Sequence, residues 1–219
     1  MKLQADDGLS VVERAECANH IRALGLASCL TVRDLAHWGS EWDYLKVGSG
    51  ECLNTSLIDA VISDGRPWII STGGTTKAQC LDIADVAGKS KAQVIICECT
   101  SSYPSLPGEI RLGLLSSVLR TLEKLPGSPL KPGYSDHMPN YYMSLAAIAL
   151  GVIYVEKHLS LEPLASGSNH ASSIGAADMK ALVTQGRYIR AAMANTEKDV
   201  LPREMSTGKL SEYRARYGS

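Results

Sequence analysis

Residues 132–162, PGYSDHMPNYYMSLAAIALGVIYVEKHLSLE, constrain this chain more than any other stretch. They read as a strand, a loop, a helix and a second strand that ends in a histidine. The helix, with Asn140 expected as its N-cap and Gly151 just past its end, is long enough to cross over between parallel strands. Alternate side chains of a strand share a face, so Ser135 and His137 point one way and Asp136 the other. The same parity sets Glu156 with His158, and Lys157 opposite. Two adjacent parallel strands then deliver one histidine each from their carboxyl ends. Neutral imidazoles placed like this can hold a divalent ion such as Mn²⁺ or Zn²⁺ and leave positions open for substrate.

The rest of the chain repeats the strand–helix alternation. SVVERAECANHIRALG, 10–25, predicts a helix with capping-box spacing between Ser10 and Glu13, an apolar face of Val11, Ala15, Ala18 and Ile21, and Gly25 as its stop. Strands follow at LASCLTV, DYLKV, WIIST and KAQVIICEC. Helices are expected at about 55–64, from Thr75 or Thr76 to Gly88, from Glu109 to about Lys124, and after Ser172 or Ser173. The last of these should turn Met179, Leu182, Val183 and Ile189 inward, and Gly186 within it suggests close packing. At least six strand–helix units with glycine-rich loops after the strands fit a barrel or a doubly wound sheet.

Length and composition set outer bounds. The 219 residues suffice for one domain, but a complete eight-stranded α/β barrel takes about 250. Lys plus Arg (22) nearly balance Asp plus Glu (23), so no general nucleic-acid-binding surface is implied. The six cysteines form no CxxC pair and no zinc-ribbon spacing, and Cys97 and Cys99 sit in an apolar strand as small hydrophobes. With no signal peptide and no membrane-spanning apolar run, a reducing cytoplasm is the expected compartment.

Several residues carry chemistry in their own right. Lys46 lies in an apolar strand, where a cation is costly to bury without an anionic partner. The Gly48-Ser49-Gly50 turn after it can face amides toward an anion, and Glu51 is placed for proton transfer. The alternative is a structural Lys46–Glu51 ion pair with glycines as turn residues. Ser135, Asp136 and His137 cannot form a serine-hydrolase relay, because adjacent strand residues point to opposite faces.

GYSDH followed about twenty residues later by EKH resembles the N-acetylneuraminate synthase (sialic acid synthase, NeuB-like) family. YLKVGSGE at 44–51, IISTGG at 69–74 and CTSSYP at 99–104 extend the likeness in the family's order, over roughly 26 to 194. The resemblance implies a TIM-type (β/α) barrel domain, 1–194, that condenses phosphoenolpyruvate with an N-acetylated amino sugar such as N-acetylmannosamine. It makes His137 and His158 the ligands of a divalent metal, Mn²⁺ first. Lys46, Ser49, Ser101 and Ser135, with Lys2 and Thr31, would grip phosphoenolpyruvate, and Glu51 would be the acid/base residue. Ser71 would contact substrate and Tyr103 would line the sugar site.

The chain departs from the family at named places. Ser101 stands where many members carry Asn, and Asn169 where the family carries a sugar-binding Asp. If Lys2 is the counterpart of the family's phosphate-binding lysine, the barrel lacks its first strand–helix unit. A polar tail, 195–219, is expected where the family carries its C-terminal antifreeze-like domain. An incomplete barrel exposes sheet edges and apolar surface, so a dimer or higher oligomer is expected. Two other readings stay open: a catalytically impaired synthase-like protein acting as a structural or regulatory partner, and a synthase for a different acceptor aldehyde.

Overall fold

The computed structural model describes residues 11–33, 35, 39–122, 127–162, 166–198, 201–206, 212 and 214–216. Six strands form one sheet: β1 (Cys29–Val32), β2 (Tyr44–Val47), β3 (Trp68–Ser71), β4 (Val94–Cys99), β5 (Leu130–Asp136) and β6 (Tyr154–Lys157). They pair in sequence order, all parallel. Helices connect and flank them: α1 (Val11–Ala23), α2 (Thr55–Asp64), α3 (Lys77–Ala87), α4 (Leu112–Leu122), α5 (Tyr142–Leu150), α6 (Ser168–Ala171), α7 (Ala176–Met193) and α8 (Pro202–Ser206).

Strand parity sorts the core into two layers. Leu30, Val32, Leu45, Val47, Trp68, Ile70 and Val94 face the helices, where they pack on Leu57, Ile58 and Val61 of α2 and Ile83 and Ala87 of α3. The alternate residues Cys29, Tyr44, Ile69, Ile95, Cys97 and Tyr154 meet on the concave face and plug its lower end. A Cβ on Gly133 would stand 2.7 Å from both Cys97 Sγ and Ile95 Cγ2, so only glycine fits there. The concave face is strongly curled, since Lys46 of β2 reaches Glu156 of β6 across three intervening strands. This is the curvature of a half-barrel with its helices outside.

The expected helices form, with their ends adjusted. Thr76, rather than Thr75, caps α3 in a capping box with Gln79. Asn140 does not occupy the N-cap of α5. Tyr141 does, and Asn140 Oδ1 accepts from Tyr142 N one residue earlier in the turn, at 3.1 Å. The predicted helix from Glu109 splits into a 3-10 turn at Pro107–Glu109 and α4. Ser172 and Ser173 do not cap α7: their hydroxyls bond back to the carbonyls of Ser168 and Asn169, and Gly175 holds the N-cap. Within α7 Leu182 is buried but Val183 is exposed. A Cβ on Gly186 would lie 2.9 Å from Ile148 Cδ1, so α7 and α5 do pack closely there. Ser10 and Lys2 lie outside the described residues. Among the described residues no helix is long and apolar enough to cross a membrane.

Candidate functional site

The carboxyl ends of the strands carry the chemistry. His137 follows β5 and His158 follows β6, and register pairs Ser135 with Glu156 and Asp136 with Lys157. The two imidazoles therefore emerge from neighbouring strands on the same face, with ring centroids 5.2 Å apart. His137 Nδ1 lies 2.7 Å from the Thr100 carbonyl oxygen. A carbonyl only accepts, so Nδ1 carries a proton, and the neutral tautomer with this bond has its lone pair on Nε2. Metal-ligating histidines typically donate their second nitrogen in this way.

The spacing passes a metric test as well. With a metal–nitrogen bond of about 2.1 Å, a metal sits about 3.2 Å from an imidazole centroid. Two such arms span 5.2 Å with room to converge. Among the described residues no third His, Cys, Asp or Glu joins them in a group that could hold a metal ion. Tyr103 stacks against His137 at 4.1 Å and meets His158 edge-on at 5.8 Å. Burial pushes its phenol up to about 12, keeping it neutral.

Beside the histidines lies a pocket of small polar groups around Gly73. Gly73 N donates to Ser49 Oγ at 3.1 Å, and the Ser49 hydroxyl in turn donates to Cys99 Sγ. A Cβ on Gly73 would stand 2.1 Å from Ser101 Oγ, 2.8 Å from Ser49 Oγ and 3.0 Å from Cys99 Sγ. Glycine is thus what lets two hydroxyls and a thiol converge here. Cys99 Sγ lies 3.5 Å from Ser49 Oγ and 3.9 Å from His137 Nδ1. Burial pushes its thiol up, against hydrogen bonds with Ser49, Ser135 and Ser101, so it sits as a neutral thiol. Ser135 is Cys99's register partner and is buried, and Ser71 is buried one strand over beside Cys97.

Lys46 is the site's buried cation. Its ammonium lies 3.0 Å from both oxygens of Glu156, with the two side chains 6% and 13% exposed. Burial pulls the Lys46 pKa down, but the Glu156 carboxylate outweighs this and holds it above the ordinary lysine range. The alternative Lys46–Glu51 pair does not form. Glu51 sits in the 3-10 turn Ser49–Glu51 and accepts from Asn54 Nδ2 at 3.0 Å. Thr31, the register partner of Lys46, lines with Lys46, Glu156, His158, Asn169 and His170 a cavity of about 1150 Å³ between β6 and α7. His170 Nδ1 meets Ser160 Oγ at 2.9 Å.

The expected residues thus gather in two adjoining groups. Ser49, Ser101, Ser135, Tyr103 and the histidines surround the strand ends, while Thr31, Lys46 and Asn169 open on the cavity beside His158. Three contributors are unexpected. Gly73 sets the spacing of the hydroxyls, Cys99 sits among them rather than in plain packing, and Glu156 holds Lys46. Glu156 shares its strand face with His158, and Cys99 shares its face with Ser101. Parity therefore carried both signals.

Comparison with known proteins supplies context. A model of the NeuB family matches residues 11–198. Human N-acetylneuraminate-9-phosphate synthase is 29% identical over 163 residues, covering 74% of this chain and 44% of that protein. N,N'-diacetyllegionaminic acid synthase of Campylobacter jejuni is 31% identical over 153 residues, with 68% and 44% covered. The chain therefore spans under half the length of these curated relatives. Among solved structures, the sialic acid synthetase of Leptospira borgpetersenii superposes with a TM-score of 0.78 at 22% identity, over 94% of this chain and 71% of that one. A DAHP synthase of Thermotoga maritima superposes at 0.70 and 18% identity, over 88% and 59%. Both carry the TIM-type barrel, which is the fold of the half-barrel described above.

Proposed function

The chain belongs to the NeuB family, and on that premise we propose that it condenses phosphoenolpyruvate with the open-chain aldehyde of an N-acetylated amino sugar. The observation that carries the reading is the convergence of His137 and His158 beside the Ser49, Ser101 and Gly73 pocket, with Lys46 buried on the same concave face. A cluster of hydroxyls and a held ammonium on one concave face suit a phosphate and carboxylate bound together.

In this reading Lys46, Ser49, Ser101 and Ser135 fix the anionic ends of phosphoenolpyruvate, with Thr31 and Ser71 at their flanks. A divalent ion on His137 and His158, Mn²⁺ first among the candidates, supplies Lewis-acid polarisation of the acceptor aldehyde. Tyr103 and Asn169 line the acceptor side. The enol carbon attacks the aldehyde carbon, whose oxygen takes a proton. Water adds to the resulting cation at the enolpyruvate carbon, and Glu51 accepts the water proton. Phosphate then leaves with cleavage of the C–O bond, so the products are a sugar acid and inorganic phosphate. Asn169 offers an amide where the family has a carboxylate, which favours an acceptor hydroxyl pattern of its own.

The same reading makes the protein a cytoplasmic homodimer. Exposed Leu159, Leu161 and Val183 beside β6 are the surface a second copy would cover; a monomer by sedimentation counts against this part. The decisive test is phosphate release from phosphoenolpyruvate with Mn²⁺ across a panel of aldoses that includes N-acetylmannosamine. Release that needs both metal and one sugar is the expected result and names the acceptor. Folded protein that binds metal yet releases no phosphate with any sugar would favour a non-catalytic partner role.

A further inference from the structure

The side chains next to the two histidines point away from the site, yet they form a closed network. Lys157 leaves the outer face of β6 with its side chain 1% exposed. Its ammonium donates to the carbonyl oxygens of Met138 and Asp136, the latter at 3.3 Å, and lies 3.6 Å from Asp136 Oδ1. Those two carbonyls flank His137. Asp136, whose side chain is fully buried, accepts Met138 N on Oδ1 at 2.9 Å and Ser144 Oγ on Oδ2 at 2.6 Å. The carbonyl of His137 itself accepts Ser105 N at 3.0 Å. The backbone on both sides of one histidine is thus tied to the residue that immediately precedes the other.

We infer that Lys157 is a positioning residue that sets the separation of His137 and His158 for a shared divalent ion. A buried ammonium is an expensive way to fill space, since methionine would cover the same stem without a charge to desolvate. What the cation adds is simultaneous bonding to two carbonyls that a methionine cannot hold. β6 and β5 are neighbours in the sheet, so the tie acts across one inter-strand spacing and fixes both imidazoles at their roots. The inference rests on the reading that the histidines bind a metal.

The test is Mn²⁺ binding to the purified chain by titration calorimetry, alongside thermal unfolding of the same proteins without metal. Lys157→Met is expected to weaken Mn²⁺ binding at least roughly tenfold, the loss usual for the support of a ligand. Lys157→Arg, which keeps a buried donor, should recover most of it. Val61→Ala, on α2 in a core cluster that contains neither histidine, Lys157 nor Asp136, serves as a control for general destabilisation. Should Lys157→Met not fold, Ser144→Ala removes one bond from Asp136 and should weaken Mn²⁺ by a smaller factor. Folded Lys157→Met or Ser144→Ala that binds Mn²⁺ as the wild type does overturns the inference alone. So does a Val61→Ala protein that loses the metal equally. A wild-type chain that binds no Mn²⁺ removes the histidine reading and this inference with it.

Discussion

Glu98 offers the cleanest quantitative test of how this sheet is packed. It lies on the helix-facing side of β4, paired in register with Tyr134, and is 9% exposed. Among the described residues no hydrogen-bond donor reaches its Oε2. Burial pushes its carboxyl from 4.5 to about 6, only partly opposed by the charge of Arg111. The folded state therefore holds the proton more tightly than the unfolded state. The stability this confers is fully present below pH 4.5 and is lost as pH rises through about 6. A shift of that size is worth about 2 kcal/mol. Glu98→Gln keeps the shape and removes the ionisation, so it should equal the wild type in stability at acid pH. Above pH 6 it should exceed the wild type by up to about 2 kcal/mol. Urea unfolding followed by tryptophan emission would report this well, since Trp42 and Trp68 are both buried. A stability gap that does not vary with pH, or a Gln variant less stable near neutrality, would refute the argument.

Two more expectations follow from the concave face. Lys46→Met leaves Glu156 buried without its cation and should cost about 3–5 kcal/mol in the same urea assay. Lys46→Met combined with Glu156→Leu should recover most of that stability without restoring phosphate release, and additive losses in the double variant would show that the pair is not coupled. Gly73→Ala places a methyl 2.1 Å from Ser101 Oγ and must turn the hydroxyls aside. It should lower kcat/KM for phosphoenolpyruvate roughly 100-fold while leaving the unfolding midpoint nearly unchanged. An Ala variant with full activity would place the anion elsewhere.

Much of this was legible in the chain because strand parity is a local rule. GYSDH and EKH alone placed Ser135 and His137 on one face with Glu156 and His158, and Asp136 and Lys157 on the other, as the structure has them. What escaped was partnership across distance. The Lys46–Glu51 pairing that the sequence suggested joins residues only five apart, while the partner Glu156 lies 110 residues away. Parity sets Glu156 on the concave face with Lys46, but only the curl of the sheet brings the two together. Cys99 read as packing because its strand is apolar, but the last residue of such a strand faces the loops rather than the plug. The caps expected at Asn140 and Ser172 shifted because the helices start one and three residues later, at Tyr141 and Gly175, which cap with no side-chain hydrogen bond at all. Glu98 was visible as a charge inside IICEC, on the outer parity, yet only the helix layer above it determines how far it is desolvated.

The strict sequence order of the sheet bears on how the molecule is made. Each strand's partners are the units just before and just after it, so every pairing closes a short loop and the sheet can grow one unit at a time as the chain emerges. The bond from Lys46 to Glu156 is different: it joins the second strand to the sixth and can form only when the last strand has docked. Synthesis could therefore yield a progressively longer folded stack whose helix-facing core is sound well before its interior is. Lys46 would gain its counter-charge, and His137 its companion, in the same final step.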